Sequence, residues 1–110
     1  MFFSTEEYHG VFGDGKYRLL KTIQKNGSLR KAAIELNRSY RKAWGDLKIS
    51  EIGLGIKLVE MRRGGKDGGS AILTDKGMDL LDRWESFKSE SRLSVDNLFN
   101  KHFENFFKEK

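Results

Sequence analysis

The stretch Gly27-Ser-Leu-Arg-Lys-Ala-Ala-Ile-Glu-Leu-Asn-Arg-Ser-Tyr-Arg-Lys-Ala-Trp44 holds two short helical patterns with a capping residue in front of each. Ser28 is placed to cap the first, whose apolar residues Leu29, Ala32, Ala33 and Leu36 recur at i, i+3, i+4 and i+7. Ser39 is placed to cap the second, where Tyr40, Ala43, Trp44 and Leu47 repeat that spacing and read as a core-facing stripe. Asn37, in the few residues between them, suits a left-handed turn. Two short helices so closely joined predict a helix-turn-helix.

Working outward, Leu19, Leu20 and Ile23 form one face of a preceding helix that starts near Asp14 and stops at Asn26 and Gly27. On the other side the helix frays near Gly53 and Gly55. Ile56 to Met61 then reads as a strand, Gly64-Gly65-Lys66-Asp67-Gly68-Gly69 as a loop, and Ala71 to Leu73 as a returning strand. That is a wing. Thr74 can cap a further helix with Asp75 at its positive end and Leu80, Leu81, Trp84 and Phe87 as its apolar stripe. The serines between Ser89 and Ser94 leave open whether one helix continues or a second starts, and beyond them Val95, Leu98, Phe99, Phe103 and Phe106 restore helical spacing. Phe2, Phe3, Tyr8, Val11 and Phe12 around His9 and Gly10 read as a short aromatic hairpin.

The expected fold is therefore mainly α with a small β-wing, a winged helix-turn-helix with a C-terminal dimerisation helix. One domain spans 1–110, with a β-hairpin over 1–13, the helix-turn-helix and wing over 14–74, and one or more dimerisation helices over 75–110. At 110 residues and 37% hydrophobic the chain can bury one modest core.

Charge is distributed unevenly. From Lys16 to Lys66 there are 14 Lys and Arg against 4 Asp and Glu, a local net of +10, whereas the rest of the chain is net −5. On the second helix of the motif, Arg38, Arg41, Lys42 and Gly45 lie opposite the assumed core stripe as a basic, nearly flat face suited to the major groove. Tyr40, near the helix start, can send its hydroxyl to a phosphate. Arg62 and Arg63 flank the glycine loop with its Lys66, cations suited to the backbone or a narrow minor groove. The DNA-binding set is then Ser28, Arg38, Ser39, Tyr40, Arg41, Lys42, Arg62, Arg63 and Lys66.

Other chemistries fit poorly. A phosphate-cradling loop needs Gly-Lys-Ser/Thr opening a helix after a strand, and here Asp67 follows Lys66. No nucleophile, base and orienter fall together, so no enzyme and no cofactor are expected. The chain has no cysteine and only His9 and His102, near opposite ends, which disfavours a metal site. Glu6 and Glu7 interrupt any incipient signal sequence, and no apolar run approaches the roughly 20 residues that span a bilayer. A cytoplasmic protein with no membrane role is expected. The rival to DNA binding is a winged-helix interaction module or adaptor.

Together with Leu58-Val-Glu-Met-Arg-Arg-Gly-Gly-Lys-Asp-Gly-Gly-Ser-Ala-Ile-Leu-Thr74, the opening stretch resembles the N-terminal domain of ModE-type molybdate-responsive regulators, relatives of the LysR-type winged helix. The Ser-Tyr-Arg-Lys-Ala-Trp helix and the Gly-Gly-Lys-x-Gly-Gly wing carry the resemblance, which runs from about Asp14 to Phe87. It implies a winged helix-turn-helix, an intertwined homodimer built from the helix after the wing, and control of transcription on double-stranded DNA. The residues agree on the dimer: Leu80, Leu81, Trp84 and Phe87, followed by Val95, Leu98, Phe99, Phe103 and Phe106, supply more large apolar side chains than one small domain can cover with its own helices. By matching position it puts Ser39, Tyr40, Arg41, Lys42 and Lys66 at the DNA. Arg38 stands where the family usually has an apolar residue, either adding a phosphate contact or loosening the turn. The sequence ends at Lys110 without the family's oxyanion-binding domains, so tight molybdate binding by this chain is not expected and a separate effector-binding subunit is left room.

Overall fold

The computed structural model describes residues 10–63 and 69–108. Four helices and a two-stranded sheet follow in the order α1 (Asp14–Asn26), α2 (Leu29–Glu35), α3 (Tyr40–Leu54), β1 (Val59–Arg62), β2 (Ser70–Leu73) and α4 (Asp75–Lys108). This is a winged helix-turn-helix with a long C-terminal helix. Most of the hairpin expected over 1–13 lies outside the described residues; Val11 and Phe12, at its end, are buried.

Helix boundaries follow the local chemistry. Gly27 closes α1 at φ 67°, a conformation a Cβ would strain, and its N–H donates to the Ile23 carbonyl at 2.7 Å. Ser28 then caps α2 by accepting the Lys31 N–H, and Ser39 caps α3 by accepting the Lys42 N–H. Between them Asn37 takes φ 56°. Thr74 caps α4 by accepting the Gly77 N–H at 3.0 Å while its hydroxyl donates to the Lys57 carbonyl at 2.6 Å, which ties the start of α4 to the strand of the wing.

β1 and β2 pair antiparallel, with Val59 opposite Leu73 and Arg62 opposite Ser70. Val59, Ala71 and Leu73 point inward onto a core of Phe12, Leu19, Leu20, Ile23, Leu47, Leu58, Leu81 and Trp84. The Ala71 N–H donates to the Gly27 carbonyl at 2.9 Å, so the wing is hydrogen-bonded to the turn before α2. Gly77 presses on the residue before β1, where a Cβ would collide with the Leu58 carbonyl.

One expectation needs correction. Leu81 and Trp84, read as dimerisation residues, are buried in the chain's own core, with the Phe12 ring edge-on to Trp84 at 5.2 Å. Leu80 is partly buried against the same core, and of the four only Phe87 is exposed. Of the two courses left open at the serines after Lys88, the chain takes the continuous one. α4 runs 34 residues, about 50 Å. Exposed serine side chains solvate readily and carry only a small helical penalty, too little to end a helix with favourable neighbours.

Candidate nucleic-acid interface

The core-facing stripe of α3 is Ala43, Asp46, Leu47 and Ser50, not the stripe through Tyr40 and Trp44. Two polar residues lie inward because each is satisfied there. Asp46 accepts from Lys42 Nζ at 2.9 Å and from Arg38 at 3.4 Å, and the Ser50 hydroxyl donates to the Val11 carbonyl. The helix is thereby rotated from the orientation that hydrophobicity alone suggests. Trp44, expected in the core, is 44% exposed, and Tyr40 is 45% exposed.

This rotation re-sorts the expected DNA-binding set. Arg41 is exposed on the outer face with Gly45 and Lys48 at helical spacing, and Tyr40 and Trp44 form its flank toward the wing. Lys42 is exposed and within reach of solvent anions while it pairs with Asp46. Arg38 is half-buried against Asp46, and this pair locks the turn to the helix after it, so Arg38 holds the motif together in place of facing outward. Ser28 is buried and spends its side chain on the α2 cap. Ser39 is exposed at the start of α3. Arg62 and Arg63 are exposed at the outer end of β1. Lys66 lies outside the described residues.

Between α3 and the wing opens a cleft of about 530 Å³ lined by Arg30, Tyr40, Trp44, Met61, Arg62 and Arg63, with Ser28 at its base. Among the described residues Arg30, Arg41, Arg62 and Arg63 have no acidic partner, so four guanidinium groups are left for an external anion. Arg30 does sit over the Tyr40 ring at 5.4 Å. It is a residue the sequence reading missed, although its place one residue into the helix after Ser28 put it beside the motif.

The orientation of the wing relative to α3 depends on Glu51. Its carboxylate accepts the N–H groups of Leu58 at 2.8 Å and Val59 at 3.2 Å, and it also accepts from Lys48 at 3.1 Å. One nearly buried side chain thus joins the end of α3 to the first residues of the wing. No periodicity marks Glu51, since its partners are backbone groups seven and eight residues on.

Among the described residues no cluster of His, Asp or Glu could hold a metal ion, and no helix is long and apolar enough to cross a membrane.

No protein-family model matches the chain. Among curated proteins it is 31% identical over 88 residues to the molybdenum transport protein ModE of Azotobacter vinelandii, covering 80% of this chain and 33% of that protein. It is 37% identical over 81 residues to the DNA-binding transcriptional dual regulator ModE of Escherichia coli, covering 73% and 30% respectively. The chain therefore spans about a third of the length of the curated relatives it matches. Among solved structures, the DNA-binding domain of CbnR in complex with DNA superposes with a TM-score of 0.61 at 19% identity, covering 83% of this chain and 99% of that one. A LysR family transcriptional regulator superposes with a TM-score of 0.59 at 12% identity, covering 82% and 29%. In fold the chain is a winged helix-turn-helix of the LysR type, and in sequence it is similar to part of the ModE regulators.

Proposed function

We propose that the chain is a sequence-specific, double-stranded DNA-binding transcription regulator that catalyses nothing. The observation that carries this is the outer face of α3: Arg41 and Lys42 stand exposed beside a cleft whose other wall includes the arginine pair at the outer end of β1. α3 enters the major groove with Ser39, Tyr40, Arg41 and Lys42 foremost, and Arg62, Arg63 and Lys66 of the wing follow the backbone or the minor groove. The names of the ModE relatives and the CbnR–DNA complex support the same reading.

The working unit is a homodimer, held by the distal part of α4. From Arg92 to Lys108 every described side chain is exposed, among them Leu98, Phe99, Phe103 and Phe106. Phe99 and Phe103 stack at 4.9 Å on one side of the helix. An apolar stripe of that length is an aggregation liability in water unless a second helix covers it, and an identical copy supplies a matching stripe. Two-fold symmetry then predicts a pseudo-palindromic site with half-sites about one helical turn of DNA apart, roughly 34 Å, or a multiple of it. We place the protein in the cytoplasm with its DNA.

The test is binding to random and to selected duplexes across a salt series. A DNA binder loses affinity with log salt at a slope of about −0.9 per phosphate neutralised, whereas an adaptor binds little at any salt. Arg41→Ala with Lys42→Ala should cost about 1–3 kcal/mol per base contact on the selected site and less on random DNA. Equal affinity of the double variant and the parent for the selected site would remove these residues from the interface.

A further inference from the structure

The cleft between α3 and the wing presents more than charge. Tyr40 and Trp44, one helical turn apart, line it and are close to half exposed, and Met61 of β1 is an exposed residue of the same lining. A cation lies over each ring, Arg30 over Tyr40 at 5.4 Å and the Lys48 ammonium over Trp44 at 5.5 Å, and both rings stay nearly half exposed. The result is an apolar wall inside a positive rim. The rim, completed by Arg62 and Arg63, selects a polyanion, and the wall requires that the polyanion also offer an apolar group.

In the major groove of duplex DNA that group is the 5-methyl of thymine, the one apolar feature on the base edges. The approach is open, because Gly45 beside Trp44 has no atom within 4 Å of where a Cβ would stand. The helix can therefore come close to the bases on this flank. Arg41, three residues before Trp44, lies on the adjoining face for polar contacts.

We infer that Trp44 is a specificity-determining residue whose indole packs on a thymine methyl in each half-site, with Tyr40 continuing the wall toward the sugar–phosphate strand. This rests on the major-groove reading of α3 given above. It assigns sequence selection to an apolar contact flanking the basic face, and gives the cations the task of holding the duplex.

The experiment starts from duplexes that the full chain selects from a random library. Each thymine of the selected site is replaced in turn by deoxyuridine, which keeps base pairing and removes only the methyl. The expected result is one position per half-site where this weakens binding by about fourfold, the worth of one buried methyl. Trp44→Ala should bind the thymine and deoxyuridine duplexes equally and lose its preference at that position, while still binding random DNA in a salt-dependent way. Trp44→Phe should keep part of the methyl sensitivity. A selected site with no methyl-sensitive position, or a Trp44→Ala variant as methyl-sensitive as the parent, would overturn the assignment and leave DNA binding standing. Absence of any duplex binding by the parent would overturn the DNA reading and the role of Trp44 together.

Discussion

Residues 75–91 of α4 bury Gly77, Leu81 and Trp84 against the wing and Phe12, whereas from Arg92 to Lys108 the same helix leaves every described side chain in solvent. Both parts carry large apolar residues at helical spacing. What separates them is the neighbour: α1, β2 and Phe12 cover the first part, and no other described element reaches the second, which extends about 25 Å past the body. The molecule measures 65 × 28 × 23 Å along its principal axes, as a short domain with a projecting helix should. An amphipathic stripe thus reports that something must cover it, and the rest of the fold decides whether that is the same chain.

The two parts should respond oppositely to truncation. Trp84→Ala removes a ring packed edge-on to Phe12 and in contact with Phe87, and should cost about 3–5 kcal/mol of folding stability, a large share of what a small domain has. Chemical denaturation measures it. Association of the protein that remains folded should be little changed. Should Trp84→Ala instead leave the unfolding midpoint in place and split the dimer, the division of α4 drawn here would be wrong.

Phe103→Glu should do the reverse. Unfolding of the body should move by no more than about 0.5 kcal/mol, as for an exposed position. Dimer formation should weaken by about 1.5–3 kcal/mol per protomer, the worth of one buried aromatic, with a charge added at the seam. Sedimentation over a concentration series reads the association and denaturation reads the body. A parent that sediments as a monomer at every concentration, with and without DNA, would refute the dimer.

The sequence carried most of the fold because its punctuation is local: Ser28, Ser39, Thr74 and Gly27 sit at the boundaries their chemistry predicts. The candidate site was less legible, and α3 shows why. Its core stripe includes Asp46 and Ser50, buried only because Arg38, Lys42 and the Val11 carbonyl satisfy them, and such tertiary partners leave no mark on hydrophobic periodicity. That stripe in turn put Trp44 outside and made Arg38 a structural partner. Trp84 failed in the opposite direction, since its place in an apolar stripe gave no sign that Phe12 would cover it.

The smallest effect tests how the proximal half of α4 is tied to α1. Tyr17 donates its hydroxyl hydrogen to Glu85 at 2.8 Å, and the Lys21 ammonium lies 2.9 Å from the same carboxylate oxygen. The Lys21 hydrogen bond, and after it that of Tyr17, hold the Glu85 carboxyl below its ordinary value of 4.5. The contribution to stability is thus fully present above the ordinary carboxylate range and lost as pH falls through the folded value. On the alkaline side the Lys21 ammonium is raised by its hydrogen bond to Glu85, and the Tyr17 hydroxyl is raised first by burial and then by Glu85. Their contributions persist below their ordinary values and fade as pH rises through the folded ones. With both partners of the ion pair nearly half exposed, the pair is screened, and Glu85→Gln should cost at most about 1 kcal/mol at pH 7. Thermal unfolding of parent and variant should differ at pH 7 and converge as pH falls through the lowered folded value of Glu85, below which the carboxyl is protonated in both states of the parent. A gap that persisted unchanged below that folded value would mean that Glu85 acts through packing. A variant that altered dimer formation more than unfolding would mean that the tie reaches into the distal helix, against the separation of the two halves.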